Sequence, residues 1–129
     1  MTNIVEVAVG VILRDKEVFL TRRASEAHQG GKWEFPGGKR EANESMPEAL
    51  ARELQEEVGI EVLASTPLMQ ISHDYGDKKV LLDVNLVVQF NNEPESKEGL
   101  EFRWVPINRL SEVDFPEANS AIVNKLLAV

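Results

Sequence analysis

From Gly38 to Ile60 the chain reads GKREANESMPEALARELQEEVGI, a polar loop running into an amphipathic helix. Ser45 followed three residues later by Glu48 is a capping-box signature, and Pro47 is tolerated in a first turn. Gly59 supplies a stop. The spacing therefore predicts a helix from about Met46 to Val58, with Leu50, Ala51, Leu54 and Val58 on one face. Glu53, Glu56 and Glu57 stand at i, i+3 and i+4 and share a neighbouring face. At about 100° per residue, Glu57 falls at the edge of the apolar stripe. Like charges so placed repel by roughly a few tenths of a kcal/mol per pair when exposed, and by more when desolvated. A helix that keeps three together without interleaved lysines is either a solvated acidic face or the seat of a compensating cation. Charge pattern alone leaves both readings open. An oxygen-only ligand set would select Mg²⁺, Mn²⁺ or Ca²⁺.

Upstream of this stretch, Ile4 to Leu13 is β-branched and alternating, which reads as a strand. Arg14-Asp15-Lys16 makes a polar turn and Glu17 to Thr21 a second strand, so the pair reads as a hairpin. After a polar connection from Arg22 to Lys32, Trp33-Glu34-Phe35 is a short extended piece ended by Pro36-Gly37-Gly38. Two glycines after a proline predict a tight turn where backbone can approach a ligand closely. Downstream, Ile60–Leu63 and Leu68–His73 read as strand pieces, Val80–Phe90 as a long strand, Asn91–Gly99 as a polar loop and Phe102–Val105 as a last strand. Glu117–Ala128 reads as a closing amphipathic helix, with Ile122, Val123, Leu126 and Leu127 as packing residues. No repeat or linker interrupts the pattern. The expectation is one α+β domain spanning residues 1–129, a mixed sheet flanked by helices.

Composition narrows the function classes. A chain of 129 residues with 43% hydrophobic content suits a single core. It has no cysteine, which excludes disulfides, thiolate nucleophiles and cysteine-based zinc sites. The formal net charge of -8 argues against binding a nucleic-acid polymer or an anionic membrane through a basic face. The first residues lack a signal-peptide pattern, and their apolar run is too short to span a bilayer. The expected location is the cytoplasm, and the expected state a monomer.

The full spacing adds more than the charges alone. Gly38, five residues, Glu44, seven residues, then Arg52-Glu53-Leu54-Gln55-Glu56-Glu57-Val58-Gly59-Ile60 satisfies every fixed position of the pattern G-x5-E-x7-R-E-U-x-E-E-x-G-U, where U is aliphatic. On these residues the chain resembles the Nudix hydrolases. The resemblance implies a mixed sheet with a loop-helix-loop catalytic motif, and Mg²⁺- or Mn²⁺-dependent cleavage of nucleoside diphosphate derivatives. It implies metal binding by Glu53, Glu56 and Glu57, with a carbonyl of Gly37 or Gly38, and bracing of the motif by Arg52 and Glu44. A polyphosphate cannot approach several glutamates unless cations neutralise both. A carboxylate must also accept a proton from the attacking water. Glu53 is one candidate; Glu98, from the polar loop, is another and a possible further metal ligand.

The likeness extends to Arg22-Arg23, to Gly31 through Lys39 and to Asp114-Phe115-Pro116-Glu117-Ala118-Asn119, which resemble the MutT-type branch of that family. That branch implies hydrolysis of 8-oxo-dGTP to 8-oxo-dGMP and pyrophosphate, a reaction that cleanses the nucleotide pool. It implies that Asn119 hydrogen-bonds the oxidised guanine while Arg23 and Phe35 help form the pocket. An amide offers a purine edge both a donor and an acceptor. Strand Val80–Phe90 is aliphatic, so base stacking falls to Phe35 and Tyr75. Lys39 and Arg40 are candidates to touch phosphate, although without a following Ser or Thr they form no Walker loop. His28 and His73 read as surface or loop residues, and Trp33 and Trp104 as core or rim aromatics. Rival readings are a Nudix hydrolase for CTP or dCTP, ADP-ribose or a dinucleotide polyphosphate, and a nucleotide-binding module without catalysis.

Overall fold

The alternation at the start of the chain builds the centre of the molecule. The computed structural model describes residues 3–26, 30–74 and 76–128, so Tyr75 and His28 lie outside the described residues. Strand β1 (Asn3–Arg14) sends alternate side chains to opposite faces. Val9 and Val11 enter one core cluster, and Ala8 and Ile12 the other. A strand apolar on both faces needs cover on both. Helix α1 (Met46–Val58) covers the Ala8/Ile12 face through Ala49, Leu50, Leu54 and Val58, so that Ala49, and not the expected Ala51, is the buried alanine. The short helix α2 (Ser120–Leu127) and a 3-10 turn at Ile107–Glu112 cover the other through Ile122, Val123, Leu126 and Leu110. Full burial of a residue such as Leu54 contributes roughly 1.5–3 kcal/mol.

The remaining strands are β2 (Glu17–Arg22), β3 (Trp33–Glu34), β4 (Gly37–Lys39), β5 (Glu61–Asp74), β6 (Lys78–Asn91) and β7 (Phe102–Pro106). The sheet runs β3-β2-β1-β6-β5, with β4 paired to β1 and β7 to β2. Strand β6 runs parallel to β1, whereas β2 and β4 are antiparallel to it. The expected hairpin turn closes with Asp15 at φ 53° and Lys16 at φ 65°, the two positive angles that a twisted two-residue hairpin requires.

The expected α+β mixed sheet is present, and three local expectations are corrected. Gly37 and Gly38 form strand β4 against Ala8 and Val9 instead of a tight turn. The two pieces after the helix are one strand, β5, because irregularities between Val62 and Met69 absorb the break in alternation without ending the pairing. His73 accordingly sits on a strand, partly buried. The closing helix is shorter than expected, since Glu117–Asn119 is a 3-10 turn ahead of α2. Trp104 lies edge-on to Phe19 at 5.5 Å with Arg14 stacked over it at 4.3 Å, and Arg103 covers Trp33 at 4.5 Å. Both tryptophans are rim aromatics, as expected.

Candidate active site

Helix α1 begins and ends as its sequence dictates. Ser45 accepts from the Glu48 N–H while the Glu48 side chain accepts from the Ser45 N–H, and Gly59 takes the left-handed cap at φ 76°. These caps set which residues of the helix face the loop before it. Arg52 is the hub of that face. Its Nε and Nη2 donate to the Glu44 carboxylate at 2.5 and 2.8 Å, and Nη2 also reaches the Lys39 carbonyl at 3.1 Å. Its Nη1 donates to Glu53 at 2.9 Å and to Glu56 at 3.3 Å. Bidentate pairing of this kind fixes direction as well as distance. Hydrogen bonds from Arg52, and then from the Glu41 N–H, hold the Glu44 carboxyl down at about 2. Arg52 and Glu44 thus brace helix and loop together.

Arg40 adds a second brace, which corrects its expected contact with phosphate. Its guanidinium is taken up by Glu6 and by the carbonyls of Glu41 and Glu44. The Lys39 side chain is exposed, and its ordered contact is the backbone carbonyl on Arg52.

Glu53 and Glu57 turn inward, and Glu56 outward. The Glu53 side chain is only 14% exposed, whereas that of Glu56 is 60% exposed. Glu57 accepts a hydrogen bond from the Gly37 N–H at 3.3 Å. The glycines of β4 are therefore needed for close approach, as expected, but what approaches is the protein itself. A Cβ on Gly37 would stand 2.0 Å from the Ala8 carbonyl oxygen, and one on Gly38 would stand 2.2 Å from Glu53 Oε2. Burial pushes the Glu57 carboxyl up to about 8, and the charges of Glu53, Glu98 and Glu34 push with it, against the Gly37 hydrogen bond. Glu98, exposed on the loop after β6, thus makes its charge felt among the α1 carboxylates.

A cleft of about 220 Å³ opens beside Gly37, lined by Val7, Val9, Arg23, Glu34, Phe35, Leu82, Pro116, Ala118 and Asn119. It brings together Arg23, Phe35 and Asn119, which are far apart in sequence. Asn119 occupies the N-cap position of α2, yet its side chain makes no cap hydrogen bond. Phe35 is corrected as a free stacking platform: it is 4% exposed, and Phe115 stacks parallel to it at 5.3 Å. Its ring is part of the cleft wall and the core. Glu34, which sequence reasoning missed, lines the same cleft and accepts from Arg23 Nη1 at 2.5 Å. Burial raises the Glu34 carboxyl against the pull of Arg23. No local signal marked it, because alternation alone sends a glutamate between two core-facing aromatics to the opposite side of the strand.

The chemistry of this donor set fits a hard divalent cation. Every donor is an oxygen, and Glu57, raised first by burial, also feels the negative charges of Glu53, Glu98 and Glu34. Among the described residues no three carboxylates or histidines converge closely enough to hold a metal as the side chains stand. Arg52 engages Glu53 and Glu56, so those two would have to exchange partners on binding.

Comparison with known proteins places this geometry in context. The NUDIX domain family profile matches residues 8–125. The chain is 40% identical over 122 residues to an 8-oxo-dGTP diphosphatase of Escherichia coli, covering 94% of this chain and 95% of that protein. It is 28% identical over 127 residues to the Escherichia coli CTP pyrophosphohydrolase, covering 98% and 94%. Among solved structures it superposes with a TM-score of 0.89 on a MutT from work on Aliivibrio salmonicida and Vibrio cholerae, at 37% identity over 98% of both chains.

Proposed function

The chain belongs to the Nudix hydrolase family, and from that premise we propose that it hydrolyses 8-oxo-dGTP to 8-oxo-dGMP and pyrophosphate, removing an oxidised precursor before it can be incorporated into DNA. The observation that carries this reading is Asn119: an amide with no capping bond, in a cleft that shares Gly37 with the carboxylate cluster. A purine whose edge met Asn119 would have its phosphates beside Glu53 and Glu57.

Nudix hydrolases need divalent metal ions. In this reading Glu53, Glu56, Glu57 and Glu98, with backbone oxygen from Gly37 or Gly38, hold Mg²⁺ or Mn²⁺. When bound, such a cation polarises phosphoryl oxygens and lowers the pKa of water. The chain's own residues do the rest. Arg52 and Glu44 hold helix and loop in register. Glu53 or Glu98 accepts the proton of the attacking water. Asn119 reads the base, Phe35 closes the wall of its cleft, Arg23 takes the nucleotide with Glu34 fixing its direction, and Lys39 attracts the phosphates. Tyr75, which lies outside the described residues, remains proposed for stacking. The protein is read as one domain acting as a cytoplasmic monomer on a nucleotide, without nucleic-acid polymer or membrane. No helix among the described residues is long and apolar enough to cross a bilayer.

The second reading is a pyrimidine triphosphate substrate, favoured by the likeness to the CTP enzyme; ADP-ribose and dinucleotide polyphosphates are further family alternatives. Asn119→Ala separates them. Loss of a base-reading hydrogen bond should lower kcat/KM for 8-oxo-dGTP by about tenfold or more and leave CTP hydrolysis nearly unchanged. An equal loss on both substrates would remove Asn119 from base recognition.

A further inference from the structure

The end of a helix leaves carbonyl oxygens that need donors from elsewhere. At the end of α1 the Gly59 N–H serves the Gln55 carbonyl, and two more donors come from far along the chain. The Glu95 N–H donates to the Val58 carbonyl at 3.0 Å, and the Lys97 N–H to the Glu57 carbonyl at 2.8 Å. The same loop is stiffened within itself. Pro94 is buried, and the Ser96 hydroxyl accepts from the Leu100 N–H at 3.0 Å. The Lys97 side chain lies over Gly59, with Cε 2.6 Å from where a Cβ would be. Glu98 is the next residue.

We infer that the segment Glu95–Lys97 is a latch that fixes the Glu98 backbone to the last turn of α1, which makes Lys97 a positioning residue acting through its main-chain N–H. Buried Pro94 and the Ser96–Leu100 hydrogen bond shape the loop itself, whereas the Glu95 and Lys97 bonds tie it directly to the helix that carries Glu53 and Glu57. With the latch, the two carboxylate-bearing elements move as one body. The inference rests on the proposed catalytic or metal-binding role of Glu98, and extends it by naming what delivers that residue. The Lys97 ammonium is not the agent. It is half exposed and pairs with Glu95 at 2.9 Å, an arrangement that contributes little to stability.

The test compares variants of the full chain, with Mg²⁺ and 8-oxo-dGTP, by kcat, KM and thermal midpoint. Lys97→Ala keeps the N–H and should retain parental kcat. Lys97→Pro removes it and should lower kcat by about tenfold or more, up to the roughly hundredfold that a 1 Å misplacement can cost, with KM little changed. In a Glu98→Gln background, Lys97→Pro should cost nothing further, because the group it positions is already gone. Multiplying losses, or a parental kcat in Lys97→Pro, would overturn the latch. If Lys97→Pro does not fold, one glycine inserted between Lys97 and Glu98 leaves both hydrogen bonds and displaces Glu98; it should show the same loss of kcat, and a parental value would overturn the inference. A Glu98→Gln variant of parental activity would instead sink the proposed role of Glu98, and the latch with it. An inactive Glu98→Gln beside an active Lys97→Pro would sink the latch alone.

Discussion

Gly38 and Glu53 touch so closely that no other residue fits at position 38 without moving the carboxylate: an added Cβ would lie 2.2 Å from Oε2, 2.3 Å from Cδ and 2.7 Å from Oε1. Gly38 is not among the positive-φ residues of the described chain, so an alanine there carries little backbone strain. Its whole effect falls on a side chain that Arg52 also holds, through Nη1.

Gly38→Ala should therefore fold and fail. A displaced Glu53 should lower kcat by roughly a hundredfold, with far-UV circular dichroism and thermal midpoint close to the parent. A folded variant with parental kcat would show that Glu53 need not occupy its present position.

Glu53→Gln tests the same group by charge in place of position. The amide keeps the volume and removes the proton acceptor and the anionic ligand. Turnover should drop by about a hundredfold or more without unfolding. Near-normal activity would remove Glu53 from the mechanism and leave Glu98 as the base.

The pairing of Glu44 with Arg52 predicts an acid limit. The Glu44 carboxyl is held at about 2 in the folded chain against an ordinary 4.5. A depressed carboxyl contributes stability that is fully present above its unfolded pKa and is lost as pH falls through the folded one. Urea unfolding followed from pH 6 downward should lose stability progressively below about 4.5. In Glu44→Gln that part of the acid dependence should be absent, and the variant should be less stable than the parent at pH 6. Parallel pH profiles for the two proteins would contradict the assignment.

Metal should stabilise as well as activate. A cation that binds only the folded chain adds about 2.7 kcal/mol at a hundred times its Kd. Scanning calorimetry should show a midpoint several degrees higher in Mg²⁺ than in EDTA, and activity lost to EDTA should return with Mg²⁺. Glu57→Gln should shrink the shift. Identical midpoints with and without Mg²⁺ would indicate that these carboxylates do not hold a cation.

Much of this was legible in the sequence wherever the signal is local. Helix α1 has the expected bounds because its caps, stop and apolar stripe lie within a few residues of one another. The Arg52–Glu44 brace was implied by the resemblance to the family, and the structure has the pair in contact. What escaped depends on distant partners. Pro36-Gly37-Gly38 looks like a turn by itself, but Gly37 and Gly38 become a strand because Ala8 and Val9 offer them an edge. Phe35 looks like an open stacking surface until Phe115 is folded against it. Glu34 gains meaning only when pairing of β2 with β3 brings Arg23 alongside. The 3-10 turn at Ile107–Glu112 is too short for any periodicity to show.

The most direct test of the central claim is a substrate panel: purified protein with Mg²⁺ and, separately, 8-oxo-dGTP, dGTP, dCTP, CTP and ADP-ribose, with product analysis. The account predicts 8-oxo-dGMP and pyrophosphate, and a kcat/KM for 8-oxo-dGTP about a hundredfold above dGTP, roughly 2.7 kcal/mol of discrimination. Comparable or faster cleavage of CTP or ADP-ribose would contradict it, leaving the Nudix chemistry in place and assigning the cleft beside Asn119 to a different base.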